Sequence, residues 1–506
     1  MRLTVVDEQP PSDGEDRSDG RVTRRGVLTK GAGALGALAA APVIAACGGS
    51  SSSSSSSSAS ASASGSASAS SSASSGGGGQ VTLRVLGIGV DQNPVLKAQA
   101  LKDLNINLEY TITDTPTTTQ KSITQPQNFD ILHGYVHQVP QILPAGVMQP
   151  VDTSKIPAWT GGTTMWNAPS AAPSNLSQSD PAYQSPPVVP GVASVLTLGK
   201  LTSQGTYGVG DAAYRMLPLN PSDPSKLTGG TPFQAALKDS IQTSSKIIGM
   251  PGVFNSDSIG YDKKVIPIVT SWAQLFDSQY KGRVALINDP QIGPIDAALA
   301  AQASGKLKFG NIGNMTQGEI DNLTKLLIDM KKAGFFRAFW STFTESVNLM
   351  AGGEVVIESM WSPAQTILLE SGKNVGFAAP KEGMRGWCGC TMIYKHVSGA
   401  TLDAAYRYLN WWLSGFPGAN MARQAYYSPV PSTTKKFLTS AEWDYWYGGK
   451  PAAQNLVGPD GKPAIPKGSV REGGSFTQRI RLYGAWNTTQ PQNDYMATQW
   501  NNFISA

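Results

Sequence analysis

Between Ser50 and Gly79 every residue is Ser, Ala or Gly, opening with the run Ser50 to Ser58 and closing with Gly76 to Gly79. A segment with no large apolar side chain has no face to bury and cannot offset the entropy of ordering its backbone, so it reads as a flexible tether. The folded part is therefore expected to run from Gln80 to Ala506. Of the 506 residues 40% are hydrophobic and 15% charged, enough to bury a large core, while 54 Gly and 34 Pro make it loop-rich. That excludes a coiled coil or a wholly disordered chain. A formal net charge of +5 is a mild excess and gives no reason to expect a nucleic-acid partner. Three Cys and three His are too few for a disulfide framework or a multi-ligand zinc site, and no metal or cofactor is expected.

Ahead of the tether, Arg24 and Arg25 precede an uncharged Ala/Gly-rich stretch from Gly31 to Ala46. It is shorter and less apolar than the ~20-residue helix that stays in a bilayer. The paired arginines resemble a twin-arginine export signal. Ile44-Ala45-Ala46-Cys47 resembles a bacterial lipoprotein cleavage box, which implies lipidation at Cys47 and membrane attachment through it. Residues 1–46 thus read as a signal peptide and 47–79 as a spacer. The expected location is outside the cytoplasm, at the periplasmic or cell-surface face of the cytoplasmic membrane.

Beyond Gln80 the alternating run Val81 to Leu86 predicts a strand, with Gly87-Ile88-Gly89 able to turn sharply at its end. Further strands are predicted at Asp130 to Leu132, Val284 to Ile287, Val355 to Ile357 and Val375 to Ala378. Helices are predicted from the capping boxes Ser271/Gln274 and Thr316/Glu319, the second ending at Gly334, and from Leu402 to a stop at Gly415. Strands alternating with helices argue an α/β fold. The Pro/Ser/Gly-rich sequence from Thr153 to Ser245 reads as loops around a few short helices.

A search for catalytic chemistry finds no Gly-x-Ser-x-Gly elbow, no His-Glu-x-x-His, no phosphate loop and no complete Gly-x-Gly-x-x-Gly. The chain is not expected to be an enzyme. His133 and His137 are spaced i,i+4, but Gly134 interrupts any helix and the pair reads as two loop histidines. Cys388-Gly389-Cys390 reads as two buried thiols, with a strained redox disulfide or a soft-metal site as the alternatives. The aromatic cluster Trp443 to Tyr447 reads as packing for the C-terminal segment.

One ordered series carries more. Phe129 to Leu132, Thr270 to Phe276, Tyr280 to Leu286, Gly353-Glu354-Val355, Met360-Trp361, Pro380 to Gly383 and Trp387 together resemble bacterial extracellular solute-binding proteins of the spermidine/putrescine-binding type, the capture subunits of ABC importers. The resemblance implies a two-lobed α/β fold with the ligand cleft between lobes joined by two crossing strands, near Pro251 to Ser256 and near Pro380 to Gly383. Lobe 1 would comprise 80–250 plus 381–438, and lobe 2 would comprise 252–380 plus 439–506. It also implies a monomer that works with a membrane permease and its ATPase. Residue by residue, it implies that Asp289 pairs with a ligand amine. It places Trp361, Trp387 and Tyr427 on the cleft wall, with Tyr426 as the alternative to Tyr427, and Tyr135 and His137 on the first lobe. Polyamine binders carry further carboxylates where this chain has Ile292 and Gly389. Two amine partners are thus missing, and a smaller mono-cation, an amino-acid-like or opine-like compound or a neutral polar solute is expected, with Gly386 to Gly389 leaving room for bulk. Ferric ion held by Tyr426, Tyr427 and His137 is one alternative; a ligand sensor for a membrane receptor is another.

Overall fold

The structure, a computed structural model, describes residues 79–142, 145–160, 246–247, 249–310, 312–479, 483–487 and 492–506. The expectations for Arg24, Arg25, Cys47, the signal peptide and nearly all of the tether lie outside the described residues, as do those for 161–245.

The strands that organise the fold are β1 (Val81–Gly87), β2 (Ile106–Ile112), β3 (Ile131–Tyr135), β4 (Met250–Asp262), β5 (Val284–Ile287), β6 (Phe336–Trp340), β7 (Ile357–Met360), β8 (Val375–Phe377) and β9 (Met384–Tyr394). Hydrogen bonding orders them β2-β1-β3-β9-β4-β7-β5-β6, with β8 also on β4. One end is parallel, β1 pairing with β2 and β3; the other is parallel too, β5 pairing with β6 and β7. The two long strands join these ends. β4 pairs with β9 over its first half and with β7 and β8 over its second, and β9 pairs with both β3 and β4.

Parallel strands need crossovers, and the sequence supplies helices with clear ends. Helix α1 (Pro94–Leu104) starts where the Asn93 side chain accepts from Leu96 N, and stops at Asn105, whose φ of 56° is left-handed. Helix α2 (Thr115–Thr124) is capped by Asp114, which accepts from Thr117 N. Helix α3 (Gly293–Ala303) follows β5, and α4 (Gln317–Lys332) carries the predicted Thr316/Glu319 capping box and ends before Gly334 at φ 70°. Helix α5 (Ser362–Glu370) follows β7, and α6 (Gly399–Leu413) covers the third predicted helix.

Three expectations need correction. The Ser271/Gln274 capping box forms, but it starts only a 3₁₀ turn, Trp272–Phe276, because Asp277 Oδ1 accepts from Gln279 N (3.0 Å) and begins another turn. Val355 and Val356 precede their strand: their amides donate to Leu349 and Arg283 carbonyls, and the ladder begins at Ile357. The second long strand starts at Met384, just after the predicted Pro380 to Gly383, which instead forms a turn with Gly383 N donating to Pro380 O.

The buried apolar residues form two clusters. One surrounds β1, β3, β9 and α6, continues through Met360 of β7, Leu368 of α5 and Val375 and Phe377 of β8, and extends to Tyr445, Trp446 and Tyr447; the other surrounds β5, α3 and α4. The C-terminal segment divides between them: Ala452 to Ile465 joins the first, while Trp500 and Phe503 of the final helix Asn493–Ser505 join the second. The turn before β9 is held by Trp272, whose Nε1 donates to Gly383 O (2.7 Å), while Ser271 Oγ donates to Glu382 (2.6 Å). Trp272 is fully buried, so Trp272→Ala is expected to destabilise the fold by about 3–5 kcal/mol through the cavity and the stranded carbonyl. Urea unfolding checks this; a loss below about 1 kcal/mol would contradict the role assigned to that contact.

Candidate functional site

Alternate residues of a strand face the same side, and β4 and β9 run antiparallel with Arg385 opposite Asp257 and Trp387 opposite Asn255. One side of this strand pair therefore presents Asn255, Asp257, Arg385 and Trp387 together. Against it lies a small cavity. Its aromatic wall is Tyr135, His137, Trp361, Trp387 and Tyr426; Asp257, Arg385, Asn487, Thr115, Ile88 and Ile292 complete it.

The rings hold one another. Trp387 meets Tyr135 edge-on at 5.4 Å and Tyr426 edge-on at 5.0 Å, while Tyr135 stacks on His137 at 5.6 Å. Trp361 meets Trp340 edge-on at 5.3 Å and sits at the residue just before α5. The loop after β3 is fixed by Gln138, whose Oε1 accepts from Tyr135 N (2.8 Å) and whose Nε2 donates to Thr115 O (3.0 Å) and Thr119 Oγ1 (2.8 Å). His137 Nδ1 lies 3.1 Å from Asn487 Nδ2, and its carbonyl accepts from Gln291 Nε2 (3.4 Å). Burial and the nearby Arg385 push the His137 imidazole down to about 3, so it is neutral at physiological pH.

At the strand crossing, Arg385 is 1% exposed. Its Nε donates to Asp296 Oδ1 of α3 (2.7 Å) and its Nη2 to Asp257 Oδ2 (3.2 Å). Burial pushes the carboxyls of Asp257, Asp289 and Asp296 up, Asp257 and Asp289 to about 6, against the pull of the guanidinium. Asp257 Oδ1 and Trp387 Nε1 have no full hydrogen bond, although the indole N–H is near enough to favour the carboxylate's charge.

Of the residues expected from the sequence, the fold brings Tyr135, His137, Trp361 and Trp387 to one cavity. Asp289 does not line it: its Oδ1 accepts from Gln291 N (2.7 Å) and Ile292 N (3.1 Å), holding the turn before α3, and Ile292 of that turn is what reaches the wall. Tyr427 points elsewhere, accepting from Arg471 Nη1 (2.8 Å) and packing against Phe476, while its neighbour Tyr426 faces the cavity. The room expected at Gly389 is taken up, since a Cβ there would meet Val253 Cγ1 at 2.9 Å. The histidines are not loop residues of one kind. His133 is buried in β3 between Asp91 (3.2 Å) and Tyr408 (2.9 Å). Cys388 and Cys390 are buried free thiols that burial pushes up, hence poor nucleophiles. Asp257 and Arg385 were missed by sequence reasoning, although Arg385 stands two residues before Trp387, the spacing that shares a strand face.

The family model for bacterial extracellular solute-binding proteins matches residues 97–447. The chain belongs to this family. Its members are solute-binding transport components, not enzymes, and act outside the cytoplasm on small molecules. Among solved structures, a spermidine/putrescine ABC transporter protein from Listeria monocytogenes, described as putative, is 15% identical with a TM-score of 0.50 over 84% of this chain and 98% of that one. The Tp0655 (TpPotD) lipoprotein of Treponema pallidum is 11% identical with a TM-score of 0.50 over 84% of this chain and 98% of that one. These show that the fold is of the periplasmic-binding-protein kind, two α/β halves on crossing strands. No curated protein sequence matches.

The raised carboxyls make stability depend on pH in a defined sense. Unfolded Asp ionises near 3.9, so between pH ~6 and ~4 folded Asp257 holds a proton that the unfolded chain has lost, and its contribution to stability rises as pH falls through 6. His137 acts oppositely below pH ~6.5, where only the unfolded imidazole takes a proton. Comparing the wild type with Asp257→Asn cancels the histidine. The wild-type unfolding midpoint should gain on the variant between pH 7.5 and 5, and a constant difference would refute the assignment.

Proposed function

We propose that this chain is the lipid-anchored substrate-binding component of an ABC importer. After twin-arginine export and lipidation at Cys47, the Ser/Gly tether would keep the folded part near the membrane. The folded part captures a small, polar, amine-bearing solute and passes it to a permease and its ATPase. The two lobes take the boundaries 80–250 plus 381–438 and 252–380 plus 439–506, and the protein acts as a monomer. What carries this reading is the cavity beside β4 and β9, with an aromatic wall and a buried charged pair. Such a cavity suits one small molecule, because rings supply apolar area and cation attraction while a few fixed polar groups orient the ligand.

The ligand contacts in this reading are Trp361, Trp387, Tyr135, His137 and Tyr426. A ferric site would need Tyr426 and Tyr427 to converge with His137, and the bond from Arg471 to Tyr427 turns that hydroxyl away. The test is a thermal-shift survey of the protein against amines, amino acids, opines, sugars and ferric ion. A ligand bound only by the folded form raises the midpoint by mass action, about 2.7 kcal/mol at a hundredfold excess over Kd. One amine-bearing class should shift it, and Trp387→Ala should abolish the shift. A response to ferric ion alone, or to no solute, would sink the proposal.

A further inference from the structure

We infer that the solute carries one ammonium group and a net charge of +1, and that the ammonium sits on Asp257 Oδ1 and not on Asp289. This rests on the solute-binding reading above and names its ligand class. The first support is an unused acceptor. Asp257 is 3% exposed and lines the cavity; Oδ2 accepts from Arg385, whereas Oδ1 has only the nearby indole N–H of Trp387 and no full hydrogen bond among the described residues. A carboxylate oxygen withdrawn from water without a donor is costly, and a ligand N–H₃⁺ removes that cost.

The second support is charge. Arg385 is the cation shared by this group: Asp296 holds it at 2.7 Å, Asp257 at 3.2 Å, and Asp289 also feels its field. Three buried carboxylates against one guanidinium leave a negative surplus, and the neutral His137 does not reduce it. Tyr135 and Tyr426, facing Asp257 from β3 and from the chain after α6, feel its negative charge. An anionic group on the solute would add to the surplus; a single cation reduces it. The third support is the wall around the seat. Trp387, held edge-on between Tyr135 and Tyr426, provides ring surface to a cation.

One ammonium is the limit because the rest of the lining holds no further carboxylate. Where a second carboxylate would be needed the turn presents Ile292, and the other cavity atoms without a full hydrogen bond, Asn487 Oδ1 and Trp387 Nε1, are uncharged. They suit a hydroxyl or carbonyl on the solute.

The experiment is calorimetric titration of the full chain with primary monoamines of two to eight carbons, and with diamines, ω-amino acids and alcohols of the same lengths. At least one monoamine should bind, with its diamine, amino acid and alcohol counterparts ten or more times weaker. Asp257→Asn, nearly isosteric, should weaken that monoamine at least tenfold, while Asp289→Asn, which keeps the oxygen that accepts from Gln291 and Ile292, should change it less than threefold. Urea midpoints establish that both variants are folded. Independently of any variant, wild-type affinity for the monoamine should fall about tenfold per pH unit once Asp257 takes up a proton, below pH ~6. Tightest binding of a diamine or an amino acid, a larger effect at Asp289, or affinity flat from pH 7.5 to 5 would overturn the inference while leaving solute capture standing. Silence from these compounds and from the broader solute survey would remove both.

Discussion

The buried guanidinium of Arg385 is the contact on which the middle of this molecule depends. It stands on β9 opposite Asp257 of β4 and reaches Asp296 on α3, so one side chain joins both crossing strands to a helix of the second half. Such a group adds little net stability, since desolvating ions costs about as much as their attraction returns, but removing one partner strands the others at several kcal/mol. Its value here is geometric. The strands cannot slide or twist relative to α3 without breaking a charged hydrogen bond inside the protein.

From that fixed point the cavity follows. Period-two alternation along β9 places Trp387 beside Arg385, and Trp387 in turn sets the positions of Tyr135 and Tyr426 through edge-on packing. The elements that bring the remaining wall are held by their own local bonds: Gln138 ties the loop after β3 to α2, and Asp289 shapes the turn that presents Ile292. The aromatic wall residues are thus supported by hydrogen bonds or ring contacts to other elements. That is the arrangement a binding site needs if little ordering is to remain for the ligand to impose.

The same features explain an apparent waste. Keeping Asp257 largely ionised in a buried setting works against stability, and a fold selected only to persist would place an apolar residue there. In the proposed reading, a carboxylate oxygen without a full hydrogen bond beside aromatic rings would instead serve the ligand. By contrast, the buried charge at Arg471 is consumed internally by Tyr427 and by the carbonyls of Trp446 and Ala425, which marks it as structural.

Much of this was legible in the chain. The α/β alternation, the helix starts at Thr316 and near Leu402 and the strand Val284 to Ile287 depend on capping chemistry and side-chain periodicity, which neighbours in sequence decide. The ordered resemblance likewise led to the family and to four of the cavity's aromatic residues. What the sequence could not disclose was which polar groups would be spent. Asp289 and Tyr427 had the right chemistry, but a backbone turn and Arg471 claimed them; Asp257 and Arg385 became neighbours only because β4 and β9, more than a hundred residues apart, pair in one register. Local interactions choose helix and strand, whereas the assignment of each buried hydrogen-bonding group depends on contacts between distant segments, and only the tertiary structure makes those.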